Sequence, residues 1–268
     1  MSLCILPNTL RFTKEEVVTI LTRHGIETST LPWYPAALLV NTTKDQLTHI
    51  PEFTEGYFYL QNPSSLLPVI ALDPQPGEKI LDLAAAPGGK TIYTAMRMNN
   101  EGEIVANDLS AGRVARMRRQ FETYGVACAK STLIPGQRIW MKYPDYFDRV
   151  LLDAPCSMHG TDTPSDDKPA KMARLQHWLL RSAVSACRLG GTIIYCTCTT
   201  SVEENEEVIE WILKKDAGKI ALEPIVWPQE IIDAGIITPG LDPGKLTARV
   251  KKESDMEGFF VAQLRRLS

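Results

Sequence analysis

"EKILDLAAAPGGKT", Glu78 to Thr91, is the stretch from which the rest of the chain can be read. Its first half is a short apolar run of strand type. Its second half is a row of small residues closing on Pro87-Gly88-Gly89, ahead of a helix expected from about Lys90 to Met98. Strand, tight turn and helix in that order make the first unit of an open α/β sheet. The turn is either an ordinary tight connection or a place where small side chains let the backbone approach a ligand, with the free N–H groups of a helix start behind it. It is not a phosphate-cradling P-loop, because Ala84 stands where that motif has its first glycine. The Gly-x-Gly-x-x-Gly spacing of dinucleotide binders is also missing.

The same alternation continues downstream. "GEIVANDLS" (Gly102–Ser110) reads as a second strand, "AGRVARMRRQFETYG" (Ala111–Gly125) as a helix stopped by Gly125, and "FDRVLLDAP" (Phe147–Pro155) as a third strand. "MARLQHWLLRSAVSACRLGG" (Met172–Gly191) reads as a helix ending at Gly190 that feeds the strand "TIIYCT" (Thr192–Thr197). Ser201 and Glu204 have the spacing of a capping box, opening a helix to about Lys215. "GFFVAQLRR" (Gly258–Arg266) reads as a last strand, antiparallel at an edge. Upstream, Thr13–His24 reads as a short helix, and "PWYPAALLV" (Pro32–Val40) alternates too weakly to assign. The expected fold is a doubly wound, mostly parallel α/β sheet with helices on both faces, preceded by a small N-terminal α+β segment. The expected division is residues 1–55 and 56–268.

Composition narrows the class. With 268 residues and 44% hydrophobic content, the chain is long enough for one α/β domain with a small appendage. Six cysteines in a chain this long do not make a disulfide-stapled mini-domain, "MSLCILPNTLRF" turns polar too early for a leader, and no apolar run approaches the roughly 20 residues of a membrane span. A cytoplasmic protein with free thiols is expected. The net charge of −3 does not advertise nucleic-acid binding. Arg113, Arg116, Arg118 and Arg119 cluster, as do Arg249, Lys251 and Lys252; each run is either a solvated face or a phosphate contact.

In open α/β sheets, ligands sit beyond the carboxyl ends of the strands. Four unusual stretches fall there: Ala84–Gly89, Asp108, Asp153–Cys156 and Cys196–Cys198. Asp108 is either a helix N-cap or a carboxylate for ribose hydroxyls. Asp153 can accept from the exocyclic amino group of a base. Cys156 follows Pro155 and is either a bland buried thiol or part of the chemistry. Cys196 lies within its strand, whereas Cys198 is nearer the expected helix start, whose N–H groups and dipole favour a thiolate. Position therefore nominates Cys198 as reactive and Cys196 as packing. No metal is expected, because Cys-x-Cys lacks a second close pair and the four histidines show no ligand spacing.

Taken together, "DLAAAPGGKT", "ND", "DAPCS", "TCT…EENE" and "GFFVAQL" resemble the Nop/Sun family of S-adenosylmethionine-dependent RNA cytosine carbon-5 methyltransferases, in the family's order. "EGYFYLQNPSSLLPV" and "NTL…EEV…PWYP" resemble its leading segment. The resemblance implies a Rossmann-like methyltransferase sheet. Cys198 would attack carbon 6 of cytosine and Cys156 would help break the protein–RNA bond, while Asp153 held the base with help from Lys90. Ala84, Ala85, Ala86, Pro87, Gly88, Gly89, Lys90, Asp108, Arg113 and Asp153 would hold S-adenosylmethionine. Two departures stand out. "STLIPGQR" (Ser131–Arg138) offers no acid near the cofactor's adenine, leaving the backbone at Pro135-Gly136 as a replacement. Val202 stands where a proline is usual. The implied partner is RNA, transfer RNA before ribosomal RNA, bound by a monomer; a DNA cytosine methyltransferase and a non-catalytic RNA-binding factor are the rival functions.

Overall fold

The computed structural model describes residues 3–166, 168–242, 244–252 and 256–268. Its small N-terminal sheet comprises β1 (Leu3–Pro7), β2 (Glu27–Leu31), β3 (Tyr34–Asn41) and β4 (Phe58–Leu60), in the order β2-β3-β1-β4 with antiparallel pairing throughout. Helix α1 (Lys14–Arg23) starts on a capping box, with Thr13 Oγ1 accepting from the Glu16 amide and the Glu16 carboxylate accepting from that of Thr13. Helices α2 (Lys44–His49) and α3 (Pro51–Thr54) follow β3. Ile5 and Leu38 turn towards Val17 of α1 and Leu47 of α2, while Cys4, Leu6 and Ala37 turn the other way into the main core. Burial on both faces explains why "PWYPAALLV" shows so little alternation: it is β3, a strand with no solvent side over Ala37–Leu38. The sheet takes in β4, past residue 55.

Helix α4 (Leu67–Leu72) leads into the main sheet. There β5 (Lys79–Asp82), α5 (Gly89–Arg97), β6 (Glu103–Asn107), α6 (Ala111–Tyr124) and β7 (Ala129–Thr132) wind in one direction. The chain then crosses back to β8 (Phe147–Asp153), α7 (Pro169–Ala186), β9 (Cys187–Thr197) and α8 (Glu206–Lys215). The parallel strands are ordered β9-β8-β5-β6-β7, so the winding reverses between β5 and β8. Helices α4, α5 and α6 cover one face and α7 and α8 the other, as a doubly wound sheet requires.

Three local expectations are corrected. The helix before β9 ends at Ala186 rather than Gly190, because Cys187 is fully buried and pairs with Phe147 of β8. The last strand, β13 (Phe259–Arg266), is antiparallel but not at an edge. It bonds β9 on one side; on the other it bonds β12 (Ala248–Val250) along its first half and β10 (Ile220–Glu223) along its second. Beyond β10 lie α9 (Gln229–Asp233) and β11 (Ile237–Pro239), which pairs with β12. Short strands of three residues carry too little periodicity to be read from sequence. Lastly, α8 begins at Glu206 with Asn205 before it, and the Ser201–Glu204 capping box is not formed. Ser201 Oγ bonds Glu203, while the Glu204 carboxylate is turned into the interior.

Phe260 tests the internal placement of β13. Its ring is fully buried and meets that of Tyr195 edge-on, with centroids 6.3 Å apart. Phe260→Ala should cost about 3–5 kcal/mol in urea unfolding. A loss near that of an exposed edge position, below about 1 kcal/mol, would contradict this packing.

Candidate active site

The carboxyl ends of β5, β6, β8 and β9 bring all four stretches to one edge of the sheet. After Asp82 the chain makes its small-residue turn, tied to β6 by the Ala85 amide donating to Asn107 O at 2.7 Å. Gly88, at φ 112°, is the residue before α5, a conformation that side chains rarely adopt. A Cβ on Gly88 would meet Met117 and Phe121 of α6, so this glycine faces the helix. A Cβ on Gly89 would instead strike the Tyr59 hydroxyl at 2.8 Å, on the ligand side. The turn borders a cavity of about 200 Å3 lined by Ala84, Ala85, Ala86, Pro87, Gly89, Lys90 and Asp153, together with Tyr59, Gln61, Ser65 and Asp82. The last four were not singled out as site residues by sequence reasoning. Gln61 and Ser65 belong to "QNPSS", and Asp82 ends the first strand, which was the available signal.

Asp108 is buried just past β6, its Oδ1 accepting from the Ser110 amide at 2.9 Å. The cap of α6 is Ser110, so Asp108 is not the N-cap; its Oδ2 pairs with Arg113 at 3.2 Å. Arg113 also donates to Ala86 O, tying Asp108 to the turn. Neither Asp108 nor Arg113 lines the cavity itself. Where an acid is missing from "STLIPGQR", the Asn107 side chain organises the loop. Its Oδ1 accepts from the Ile134 amide at 3.0 Å and its Nδ2 donates to Leu83 O at 3.2 Å.

Lys90 donates to Asp153 Oδ2 at 2.7 Å. Burial opposes its charge, but the neighbouring Asp153 carboxylate outweighs that and holds Lys90 firmly protonated. Asp82 has no such partner. Thr91 Oγ1 donates to its Oδ2 at 2.6 Å, whereas its buried Oδ1 has no bond. Burial pushes the Asp82 carboxyl up to about 7, with the Asp153 charge adding to the effect.

The thiols divide sharply. Burial pushes Cys4 and Cys187 up to about 12 and Cys128 up to about 11. Cys196 is fully buried, its Sγ 3.5 Å from Asp153 Oδ1, and burial beside that carboxylate holds it protonated. Cys156 and Cys198 touch, Sγ to Sγ at 3.2 Å. The bond from Cys198 draws the Cys156 thiol below its ordinary value despite burial, assisted by the Met158 amide. The same bond, with burial, raises Cys198. Of the two, Cys156 is the more acidic thiol and Cys198 the one held protonated. The helix start expected close to Cys198 lies farther on: α8 opens only at Glu206, and the dipole is felt only within a turn.

Of the two expected basic clusters only Arg249 is drawn inward; Arg113, Arg118, Lys251 and Lys252 are exposed. Arg249 forks onto the buried Glu206 carboxylate and donates to Thr200 O, and Lys252 pairs with Asp162 at 2.7 Å. Arg116 and Arg119 are exposed on α6. Among the described residues, no group of His, Cys, Asp or Glu is arranged to hold a metal, and no helix is long and apolar enough to cross a membrane.

Comparison with known proteins places the chain. Residues 69–265 match the family model of the 16S rRNA methyltransferase RsmB/F. The chain belongs to the RsmB/F family. It is 35% identical to the ribosomal RNA small subunit methyltransferase F of Klebsiella pneumoniae, over 97% of this chain and 56% of that protein. It is 36% identical to the 28S rRNA (cytosine-C(5))-methyltransferase of Mus musculus, over 97% of this chain and 35% of that one. The chain therefore spans about half the length, or less, of these relatives. Among solved structures, a methyltransferase homolog protein from Pyrococcus horikoshii superposes with a TM-score of 0.82 at 32% identity, covering 100% of this chain and 87% of that one. NSun6 from the same organism superposes at 0.87 with 23% identity, covering 100% and 91%, which shows the shared Rossmann-like fold.

The RsmB/F site carries a pH signature through Asp82. The ordinary value of this carboxyl is 3.8, but the folded chain retains the proton up to about pH 7. The resulting stabilisation is complete below the lower value and is lost as pH rises through the upper one. Ligand-free Asp82→Asn should therefore lose less stability than the wild type between about pH 5 and pH 8 in urea midpoints. Equal slopes for the two proteins would show that Asp82 ionises normally.

Proposed function

We propose that this chain transfers a methyl group from S-adenosylmethionine to carbon 5 of cytosine in RNA, with ribosomal RNA as substrate. The observation that carries this reading is the 3.2 Å contact of Cys156 and Cys198 beside the Lys90–Asp153 pair. A lone structural thiol does not require a second one at bonding distance with its acidity enhanced. Family membership supports the chemistry. The names of the relatives favour ribosomal over transfer RNA, against the preference drawn from sequence alone.

The residues fit S-adenosylmethionine. Small side chains line the turn, Asp108 and Arg113 stand behind it, and Asp82 offers an unpartnered buried oxygen suited to a cationic group. When bound, the cofactor supplies an electrophilic methyl group. Asp153 accepts from the exocyclic amino group of the cytosine while Lys90 holds its other oxygen. Cys198 gives its proton to Cys156 and bonds to carbon 6, pushing the ring electrons towards carbon 5. After carbon 5 has taken the methyl group, its proton passes to solvent water, the carbon–sulfur bond breaks, and Cys198 leaves as a thiolate that takes its proton back from Cys156, which so assists the release. The base must leave its stack to reach the pair, so a looped cytosine suits the site best. Residues 56–268 form the catalytic unit in this reading and 1–55 an RNA-contacting segment, in a cytoplasmic monomer without a metal.

Alanine variants separate the two thiols. Cys198→Ala should be inactive and leave no covalent RNA adduct. Cys156→Ala should still attack, since the bond that raises Cys198 is gone, and accumulate an adduct that survives denaturing gels. Cys196→Ala should keep both activities with some loss of stability. The reverse pattern for the first two exchanges their roles. Methyl transfer to transfer RNA but not to ribosomal RNA would overturn the substrate and leave the chemistry, and absence of both transfer and adduct would favour a non-catalytic RNA-binding factor.

A further inference from the structure

Glu203-Glu204-Asn205-Glu206 has the composition of a solvated acidic helix start, yet Glu204, Asn205 and Glu206 are all buried. A buried carboxylate costs several kcal/mol unless its bonds are made, so the partners it selects are informative. Glu204 Oε2 accepts from the Ser157 amide at 3.0 Å and from Gln176 Nε2 at 2.9 Å, and its Oε1 accepts from the Ser157 hydroxyl. Gln176 Nε2 in turn donates to Pro155 O at 2.9 Å. Pro155 and Ser157 are the residues on either side of Cys156.

Asn205 does the same for the other thiol. Its Oδ1 accepts from Thr197 Oγ1 at 2.6 Å and its Nδ2 donates to Thr199 O at 3.0 Å, the residues on either side of Cys198. The two brackets are joined where Ser157 Oγ meets Thr199 Oγ1 at 3.1 Å. Consecutive residues thus each grip one cysteine loop, and a peptide bond between them fixes the distance between the grips.

We infer that Glu204 and Asn205 are positioning residues that set the separation of the Cys156 and Cys198 sulfurs. Neither touches a thiol; each holds the backbone that carries one. Both are polar and neither is replaceable by an apolar residue of the same shape, because Ser157 N–H and Thr199 C=O would be left buried without partners. The inference deepens the methyl-transfer reading, but its first readout needs neither RNA nor cofactor.

The test uses the whole chain. Diamide closes the Cys156–Cys198 disulfide, followed by mass spectrometry, and iodoacetamide reports thiolate as a function of pH. Glu204→Gln and Asn205→Asp should slow disulfide closure by about tenfold or more and move Cys156 alkylation to higher pH, since a misplacement on the order of 1 Å is costly for reacting atoms. Should those variants fail to fold, Thr197→Val removes one hydroxyl from the clamp and should show the same defect, with Thr197→Ser restoring the wild-type rate. In methyl transfer, kcat should fall with little change in KM for RNA. Folded variants that close the disulfide and alkylate as the wild type does would overturn the inference. Shifted thiol chemistry in a chain whose wild type transfers no methyl group would sink the proposed function and leave the clamp standing.

Discussion

Asp153 and Cys196 lie opposite one another in the parallel pairing of β8 with β9, and that register decides which side chains share the buried end of the sheet. From this point Lys90 on α5 reaches one carboxylate oxygen of Asp153 and the Cys196 thiol the other. A slip of one residue in either strand would turn its member of the pair to the opposite face. The two loops leaving the strands also start level with each other. Cys156 and Cys198 then meet at 3.2 Å. Turn, helix and loops are arranged around this one strand pair.

The register also creates a charge imbalance. Asp82 and Asp153 end adjacent strands of the sheet, and Lys90 is committed to Asp153. With one cation for two neighbouring carboxylates, the buried Asp82 stays protonated up to about pH 7 and keeps one oxygen unbonded. A positively charged group entering beside it favours the ionised form, so ligand binding and proton release are linked at this cavity. Asp82 therefore costs the empty chain stability above neutral pH, and a cationic ligand recovers that cost.

The sheet was legible because its strands are short apolar runs separated by amphipathic helices, a pattern set by local burial. Ala84–Gly89, Asp108, Asp153–Cys156 and Cys196–Cys198 could be placed together since strand ends of a doubly wound sheet share one edge. What could not be read were facts created by tertiary contact. Ser201 and Glu204 have the letters of a capping box, but the Glu204 carboxylate goes to Ser157, 47 residues away. The acidity of Cys198 was inferred from a helix that begins later, and the thiol facing it lay 42 residues off in the chain. β13 looked like an edge because the strands that cover it, β10 and β12, are too short to show a period. Nothing in the sequence marks Asp82, because an acid ending a strand is unremarkable until its second oxygen proves to have no partner.

A contact between two identical groups is symmetric, so its surroundings decide which sulfur is the more acidic. Cys156 receives the Met158 amide, offered from a left-handed turn at φ 59°, and the amide of Cys198 as well. Cys198 is raised by its bond with Cys156 and by burial. Asp153 opposes ionisation of both thiols, so the backbone donors, which reach Cys156 alone, make it the more acidic of the two. That difference depends on both loops staying in place, because an amide drawn back by even half an ångström loses much of its hold on the sulfur. Apolar packing would tolerate such drift, whereas a fully bonded buried network does not. The Glu204–Asn205 brackets and the asymmetry of the thiols are therefore two sides of one constraint: the polarity of the pair lasts only as long as the clamp that holds its loops.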